Sequence, residues 1–168
     1  LSSPLTESLT TYKGLFGLKS NKKLMQVRDA TDLYDLTAVI DKSWRRDIAL
    51  LNQLKVKSIT ETYNYKAMVN LVAFRSIDFT LMEFKKNLEK EVSNDRARLY
   101  PVPGVALEFN DTLHFIISKK HPHGSQIYQA LEKGLKILRA NGTIEKLYQG
   151  ANIIRSDMAH LKILNKNP

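Results

Sequence analysis

The stretch Leu113–Gln149 reads LHFIISKKHPHGSQIYQALEKGLKILRANGTIEKLYQ, and each element boundary in it is marked by a characteristic residue. Apolar and polar residues alternate at its beginning, which predicts a strand over Leu113–Ile117. A polar turn follows, and Ser125 is the predicted N-cap of a long helix. The apolar stripe of that helix consists of Ile127, Leu131, Leu135 and Leu138. Asn141-Gly142 predicts its C-terminal end, and Ile144–Tyr148 a second, short helix.

The rest of the chain alternates predicted strands with predicted helices of about ten residues. The predicted strands are Gly14–Lys19, Leu36–Ile40, Ser58–Thr62 and Ser76–Met82. The predicted helices are Arg45–Leu54, Tyr65–Phe74 and Phe84–Val92. Leu1–Thr11 has no strand or helix periodicity, and Ser20–Thr31 reads as a charged linker. This alternation favours an α/β fold with a mostly parallel, doubly wound sheet.

The composition restricts the classes of function. The chain has 26 Lys and Arg against 17 Asp and Glu, a net charge of +9, which is a feature of many nucleic-acid-binding proteins. The basic residues are spread along the chain, however, without the interleaved aromatic residues of a stacking platform, so no nucleic-acid partner is predicted. Cysteine is absent, which excludes disulfides and thiol chemistry. No apolar run reaches the roughly 18 residues of a transmembrane helix, and no signal peptide is present in this sequence.

The order of strand, basic turn, long helix, Asn-Gly and short helix in residues 113–149 resembles the C-terminal end of type 2 periplasmic solute-binding proteins. These are the family-3, amino-acid-type substrate-binding proteins of ABC importers, and the resemblance covers nearly the whole chain. It implies a type II periplasmic-binding-protein fold. Residues 1–19 would be a remnant of lobe 1 with a hinge strand, residues 20–107 would be lobe 2, and residues 108–168 would return to lobe 1 through a crossing strand and the C-terminal helices.

The resemblance also has limits. Nothing before Lys13 can supply the first half of lobe 1, so we expect the chain to be the C-terminal part of a longer protein whose unpaired strand edges favour self-association. Three segments look closest to a divergent branch of the family: Trp44-x-x-Asp47, Tyr100–Pro103 and the ending Leu161–Pro168.

The first candidate binding segment is the turn between the strand Leu36–Ile40 and the helix that follows. Backbone N–H groups at a helix start suit an anion, and ligands of doubly wound sheets bind at the carboxyl ends of strands. In the family this turn holds the ligand carboxylate with a Gly-Ser/Thr-Thr motif. Only Ser43 matches that motif. Trp44 beside Arg45 could stack on a ligand, and the alternative is that Trp44 caps the core of its own lobe.

The second candidate segment resembles the family motif Gly-Arg-x-Asp-Ala-x-x-x-Asp/Glu, whose last carboxylate binds the amino group of the ligand. Arg75, Asp78 and Glu83 stand at the matching positions. A carboxylate can take a charge-assisted hydrogen bond from an ammonium, and this is the role expected for Glu83. The alternative is that Glu83 simply opens the helix Phe84–Val92. Asp78 is expected to be structural, capping the chain or pairing near Arg75.

Other kinds of site have little support in the sequence. His121 and His123 are too few for a metal site, which needs three or four ligands, so a solvated turn is expected. Motifs for hydrolases, phosphate binding and metalloproteases are absent. The sequence therefore predicts no catalytic residue, no metal and no cofactor.

The predicted function is non-catalytic binding of a small polar, amino-acid-like solute between two hinged lobes, for delivery to a membrane ABC permease. The predicted location is periplasmic or extracellular, in a bacterium. Three alternatives remain open: an extracellular sensor module of a membrane receptor, a basic interaction protein, and an enzyme related to cyclohexadienyl dehydratase.

Overall fold

A computed structural model describes residues 1–6, 9–94, 97–151, 153, 155 and 157–166. The chain divides into two compact units. Unit 1 comprises Leu1–Thr11 and Phe109–Asp157, and unit 2 comprises Tyr12–Glu108 and Met158–Pro168. The chain passes between the units three times, within the strands Leu9–Gly17 and Val105–Asp111 and between Asp157 and Met158. The division that places lobe 2 at residues 20–107 stays a prediction, and unit 2 covers that range together with the segments from Tyr12 and from Met158.

Among the described residues of the first half, there are four strands and three helices. The strands are β1 (Leu9–Gly17), β2 (Thr37–Asp41), β3 (Ser58–Thr62) and β4 (Phe79–Glu83). The helices are α1 (Lys22–Met25), α2 (Arg45–Gln53) and α3 (Tyr65–Ala73), and a 3₁₀ turn spans Ala30–Leu33.

The described residues of the second half add four strands and two helices. The strands are β5 (Val92–Ser93), β6 (Arg98–Pro101), β7 (Val105–Asp111) and β8 (Lys162–Ile163). The helices are α4 (Gly124–Ala140) and α5 (Thr143–Gly150). Gly142 lies between them with φ of +72°, a left-handed conformation that glycine adopts without strain, so the predicted Asn-Gly helix end is confirmed.

The sheet has the strand order β3-β2-β4-β1-β6-β5, and β7 pairs with β1 and β8. β2 runs parallel to both β3 and β4, so the sequence-predicted parallel core is confirmed. β1 and β6 are added in antiparallel pairing. In the β1–β4 register, Lys13 is opposite Glu83 and Gly17 is opposite Phe79. The parallel core brings the carboxyl ends of β2, β3 and β4 to one edge of the sheet.

Helices cover both faces of this sheet, as a doubly wound fold requires. Phe16 points to the α3 face, where it joins a buried cluster with β2, β4 and α3 residues. Members of that cluster are Phe16, Val39, Met68, Val69, Val72, Ile77, Met82, Val92 and Leu99. Lys13 is three positions before Phe16 on β1, so its side chain points to the other face of the sheet, where it contacts Asp47 of α2. A Cβ on Gly14 would lie 2.7 Å from the ring of Phe84, so glycine is what lets Phe84 cover β1.

Two predicted elements are wrong. Leu113–Ile117 is not a strand, although its backbone bonds the N-terminal segment of unit 1 twice, at Ser2 N to Phe115 O and Leu5 N to Leu113 O. Phe115 is 46% exposed, so the alternation does not reflect a buried face. The predicted helix Phe84–Val92 is a series of turns, because the Asn87 side chain accepts the Glu89 N–H and competes with helical bonding.

The predicted details of α4 also need correction. The helix begins at Gly124, its N-cap is His123, and Ser125 lies inside the first turn. Of the predicted apolar stripe only Leu135 is buried, while Ile127 is 45% exposed. An apolar groove of about 370 Å³ therefore remains open along α4 and α5. The remaining boundaries shift modestly, since β1 already begins at Leu9 and the expected charged linker contains α1. Asn167 and Pro168 of the predicted ending lie outside the described residues.

Candidate functional site

The carboxyl ends of the three parallel strands β2, β3 and β4 meet at one edge of unit 2. β2 ends at Asp41, β3 at Thr62 and β4 at Glu83. The Lys42 N–H donates to Thr62 O at 2.8 Å, so the ends of β2 and β3 are joined directly. Continuing the β2–β4 register, in which Val39 is opposite Thr80, places Glu83 beside Lys42. Ser43, Trp44, Arg45 and Glu83 consequently lie at the same edge, the usual ligand position in an open α/β sheet.

A tight turn connects β2 to α2 at this edge. Asp41 Oδ1 accepts the Ser43 N–H at 2.9 Å and the Ser43 hydroxyl at 2.6 Å. These two bonds, the hydroxyl bond first, lower the pKa of the Asp41 carboxyl. Trp44 is the N-cap of α2, but its side chain makes no capping bond. The Ser43 hydroxyl thus stabilises the turn by donating its proton to Asp41. It could bind a ligand as a hydrogen-bond acceptor, or as a donor after giving up the bond to Asp41.

Replacing Ser43 with alanine should raise the pKa of Asp41, because the stronger of its two hydrogen bonds is lost while the backbone bond remains. A carboxyl whose pKa is lowered by folding contributes stability above its unfolded pKa of about 4 and loses it as the pH falls through the folded value. An NMR titration of the Asp41 carboxyl measures the shift. Ser58→Ala, in β3, is the control, and an unchanged Asp41 pKa in Ser43→Ala would refute this account of the turn.

Arg45 and Lys42 are directed along the edge toward β3. Arg45 Nη1 lies 3.8 Å from Glu61 Oε2, and both side chains are more than a third exposed. Such a pair contributes about 0.2–1 kcal/mol or less, so it leaves Arg45 able to exchange partners. Lys42 Nζ donates to the Tyr63 hydroxyl at 3.1 Å and lies 5.3 Å from the centroid of its ring. The edge therefore presents two cations on its β3 side, of which Arg45 is exposed and Lys42 is half-buried.

A buried ion pair lies on the other side of the turn. Lys13 Nζ donates to Asp47 Oδ1 at 2.6 Å, and the two side chains are only 16% and 7% exposed. The same ammonium lies 4.5 Å from the centroid of the Trp44 ring, a cation–π distance. Trp44 also packs against the core cluster on the α3 side. The indole of Trp44 thus already contacts Lys13 and the core cluster. These contacts support the alternative that Trp44 caps the core of its own lobe.

Glu83 is exposed at the end of β4. It stands directly opposite Lys13 in the antiparallel register, and opposed side chains lie on one face with Cβ atoms about 5 Å apart. Phe84, the next residue, packs against the same core cluster as Trp44. Within the residues that the structure describes, Glu83 makes no ion pair and no side-chain hydrogen bond. A carboxylate in this position can accept a bond from an ammonium group of a ligand.

The other residues of the second predicted segment have structural positions at the opposite, amino edge of the sheet. Asp78 accepts bonds from the Thr37 N–H, the Thr37 hydroxyl and Asn21 Nδ2 at 2.8–2.9 Å, which fixes the start of β2. Its predicted structural role is confirmed, although its partners are not Arg75. Arg75 donates to the Ser20 hydroxyl at 3.3 Å. Both residues line a separate cavity of about 210 Å³.

Sequence reasoning missed Lys13 and Asp47 as members of the site. Asp47 was noted only as part of the segment Trp44-x-x-Asp47 and not as a site residue, and it stands in the first turn of α2, where the helix dipole alone would favour it. Lys13 lies inside β1 but before the strand predicted from Gly14, and it has no local signal, because its role depends on which helix covers that face of β1. An aspartate is seldom buried in a protein without a partner of opposite charge. If α2 is expected to pack on the sheet, this rule predicts a basic partner for Asp47.

No metal site is formed by the described part of the chain, in which no group of three His, Asp or Glu side chains is suitably arranged. His121 and His123 are both exposed in a turn of unit 1, with ring centroids 6.0 Å apart. His123 Nδ1 lies 3.2 Å from Gln126 Oε1. In the same described residues, no helix combines the length and hydropathy needed to cross a bilayer.

Comparison with known proteins gives a clear result only for the fold. No protein-family model and no curated protein sequence matches the chain. Among solved structures, an arginine transport system periplasmic binding protein from Legionella pneumophila is 16% identical with a TM-score of 0.54, over 89% of this chain and 63% of that one. An amino acid ABC transporter substrate-binding protein from Streptococcus pneumoniae, bound to L-arginine, is 17% identical with a TM-score of 0.54, over 89% and 59%.

These similarities confirm the predicted fold, a type II periplasmic-binding-protein fold of mixed α/β class. The chain spans about three fifths of the length of the structures that it resembles. At this level of identity the likeness concerns the fold alone, and function has to be argued from the residues of the edge itself.

Proposed function

We propose that this chain binds a small polar, amino-acid-like solute at the carboxyl edge of unit 2, without catalysing a reaction. Glu83 accepts the amino group of the solute, and Ser43, Trp44 and Arg45 border the position of its remaining polar groups. The solute is delivered to an ABC permease in the membrane. The observation that carries the proposal is Glu83, an exposed carboxylate with no partner among the described residues, at the edge where doubly wound sheets bind ligands.

The charges around the edge support a zwitterionic solute rather than a purely cationic or anionic one. Glu83 offers a negative charge on the β4 side, and Lys42 and Arg45 offer positive charges on the β3 side. A molecule with an ammonium and a carboxylate can satisfy both sides at once. The solved relatives of the same fold include proteins with bound L-arginine, which fits this chemical class.

Replacing Glu83 with glutamine should weaken L-arginine binding by roughly tenfold to a hundredfold, because an amide keeps the shape but loses a charge-assisted bond of about 1.5–3 kcal/mol. The chain has a single tryptophan, Trp44, so its fluorescence and its indole N–H resonance report on this edge specifically. The comparison ligand is δ-guanidinovalerate, which is L-arginine without the α-amino group. Its affinity should stay within about twofold in the variant.

Glu89→Gln provides the matched control, since Glu89 is an exposed carboxylate six residues further along the same chain segment. It removes the same charge from the protein and should leave both ligands unaffected. The proposal fails if neither molecule perturbs Trp44 in the parent protein. It also fails if Glu83→Gln binds L-arginine as tightly as Glu89→Gln does.

The location and the protein partners belong to the same proposal. A periplasmic or extracellular location fits the named relatives, one of which is described as periplasmic. Self-association of the chain is a further part of the proposal. It is supported by apolar residues that are exposed on α4 and α5, such as Ile137 at 54% and Leu147 at 65%. Sedimentation at increasing protein concentration tests that part independently of any solute.

A further inference from the structure

Glu83 has no side-chain partner among the residues that the structure describes, although a lysine stands directly across from it. Lys13 and Glu83 are register partners on β1 and β4, a position in which opposite charges ordinarily pair. The Lys13 ammonium instead bonds Asp47 at 2.6 Å and lies 4.5 Å from the Trp44 ring centroid. The lysine is thus held on α2 and away from the strand partner that its register offers.

Burial explains which carboxylate holds the lysine. The Asp47 side chain is 7% exposed, whereas Glu83 is exposed to solvent. An uncompensated charge is far more costly in the interior than at the surface, so the ammonium stays with Asp47. The Trp44 ring adds a favourable cation–π contact at the same position. Loss of the Asp47 charge would release Lys13 toward Glu83.

We propose that Asp47 is a specificity-determining residue of the solute site, which retains Lys13 against Trp44 and so keeps Glu83 available for the amino group of a ligand. The inference rests on the proposed role of Glu83. Asp47 acts as a positioning residue, since its contact is with Lys13 and not with the solute. Without it, Lys13 would neutralise Glu83 internally, and the site would lose its preference for amine-bearing solutes.

The test is Asp47→Asn, which preserves shape and removes the charge that holds Lys13. L-arginine binding, followed by Trp44, should weaken by the same factor as in Glu83→Gln, roughly tenfold or more. Binding of δ-guanidinovalerate should stay within about twofold. Adding Lys13→Met to Asp47→Asn removes the competing ammonium and should restore L-arginine binding to near the parental affinity. A structure of Asp47→Asn should place Lys13 Nζ within hydrogen-bond distance of Glu83.

A merely structural role for Asp47 gives a different pattern. Both ligands would then weaken together, and Lys13→Met would not restore binding; either result overturns the inference. If Asp47→Asn does not fold, the double variant Lys13→Met/Asp47→Leu removes the pair while keeping apolar volume. This variant should retain the parental preference for L-arginine over δ-guanidinovalerate, and loss of that preference overturns the inference as well.

Failure of the inference can be distinguished from failure of the proposed function. If Glu83→Gln changes the preference for L-arginine and Asp47→Asn does not, Glu83 binds the amine but Asp47 does not protect it. If Glu83→Gln itself leaves the preference unchanged, the proposed role of Glu83 is wrong, and the inference falls with it.

Discussion

Replacing Phe16 with alanine is expected to lower the free energy of unfolding by about 3–5 kcal/mol. The Phe16 side chain is fully buried in the cluster on the α3 face, and its ring centroid lies 6.0 Å from that of Phe84. The substitution loses the burial of an aromatic ring and leaves a cavity beside strand backbone that cannot collapse into it. Urea unfolding followed by Trp44 fluorescence measures the change, because Trp44 packs against the same cluster.

Phe74→Ala is the matched control for this prediction. Phe74 is the C-cap of α3 and is 63% exposed, so its truncation should change the free energy of unfolding by no more than about 0.5 kcal/mol. The two variants lose the same atoms and differ in burial. Equal losses in both would mean that the cluster around Phe16 is not the core that stabilises unit 2.

Replacing Lys13 with methionine should also destabilise the protein, by about 3–5 kcal/mol, because it leaves the Asp47 carboxylate buried without its counter-charge. The Lys13 and Asp47 side chains are 16% and 7% exposed, so water cannot readily replace the ammonium. The contact of Lys13 with the Trp44 ring is lost at the same time. Urea unfolding gives the magnitude, and a change in Trp44 emission shows that the contact has been removed.

Two variants distinguish the effect of an uncompensated Asp47 charge from the effect of removing any lysine. Lys42→Met removes a lysine at the same edge whose partner, Tyr63, is 77% exposed, and it should cost at most about 1 kcal/mol. Lys13→Met/Asp47→Leu replaces the whole buried pair with apolar side chains and should regain most of the lost stability. If Lys13→Met costs no more than Lys42→Met, Asp47 does not depend on Lys13.

Apolar patterning was a good guide wherever local signals and burial agreed. α2, β3 and α3 were found within one residue of their predicted bounds, because each has a helical or alternating residue pattern. The start of α3 is also marked by Asn64, whose side chain accepts the Ala67 N–H. The helix end at Asn141-Gly142 was equally local, since it depends on the left-handed conformation of a single glycine. The α/β class followed from the alternation of these elements.

The same patterning failed where a segment has an apolar sequence without a buried face. Leu113–Ile117 alternates like a strand, yet the structure gives Phe115 and its neighbours neither a ladder nor full burial. Phe84 suggested the start of a helix, but its ring instead packs against the core cluster beside Phe16. Alternation of apolar and polar residues shows which side chains would share a face of a strand. It does not show whether another helix or strand covers that face.

The sequence by itself determined the α/β class, the positions of the central helices and strands, and the presence of Ser43, Trp44, Arg45 and Glu83 after strands whose carboxyl ends would meet. Only the tertiary structure decided how Lys13 is used. Its contacts Asp47 and Trp44 are 34 and 31 positions away in the chain, and Glu83, which stands opposite it on β4, is 70 positions away. These residues are neighbours of Lys13 because β1 runs antiparallel to β4 while α2 covers that face. Charge and burial act between neighbours in space, and for this lysine the neighbours are set by strand register and helix packing, which no local pattern of residues records.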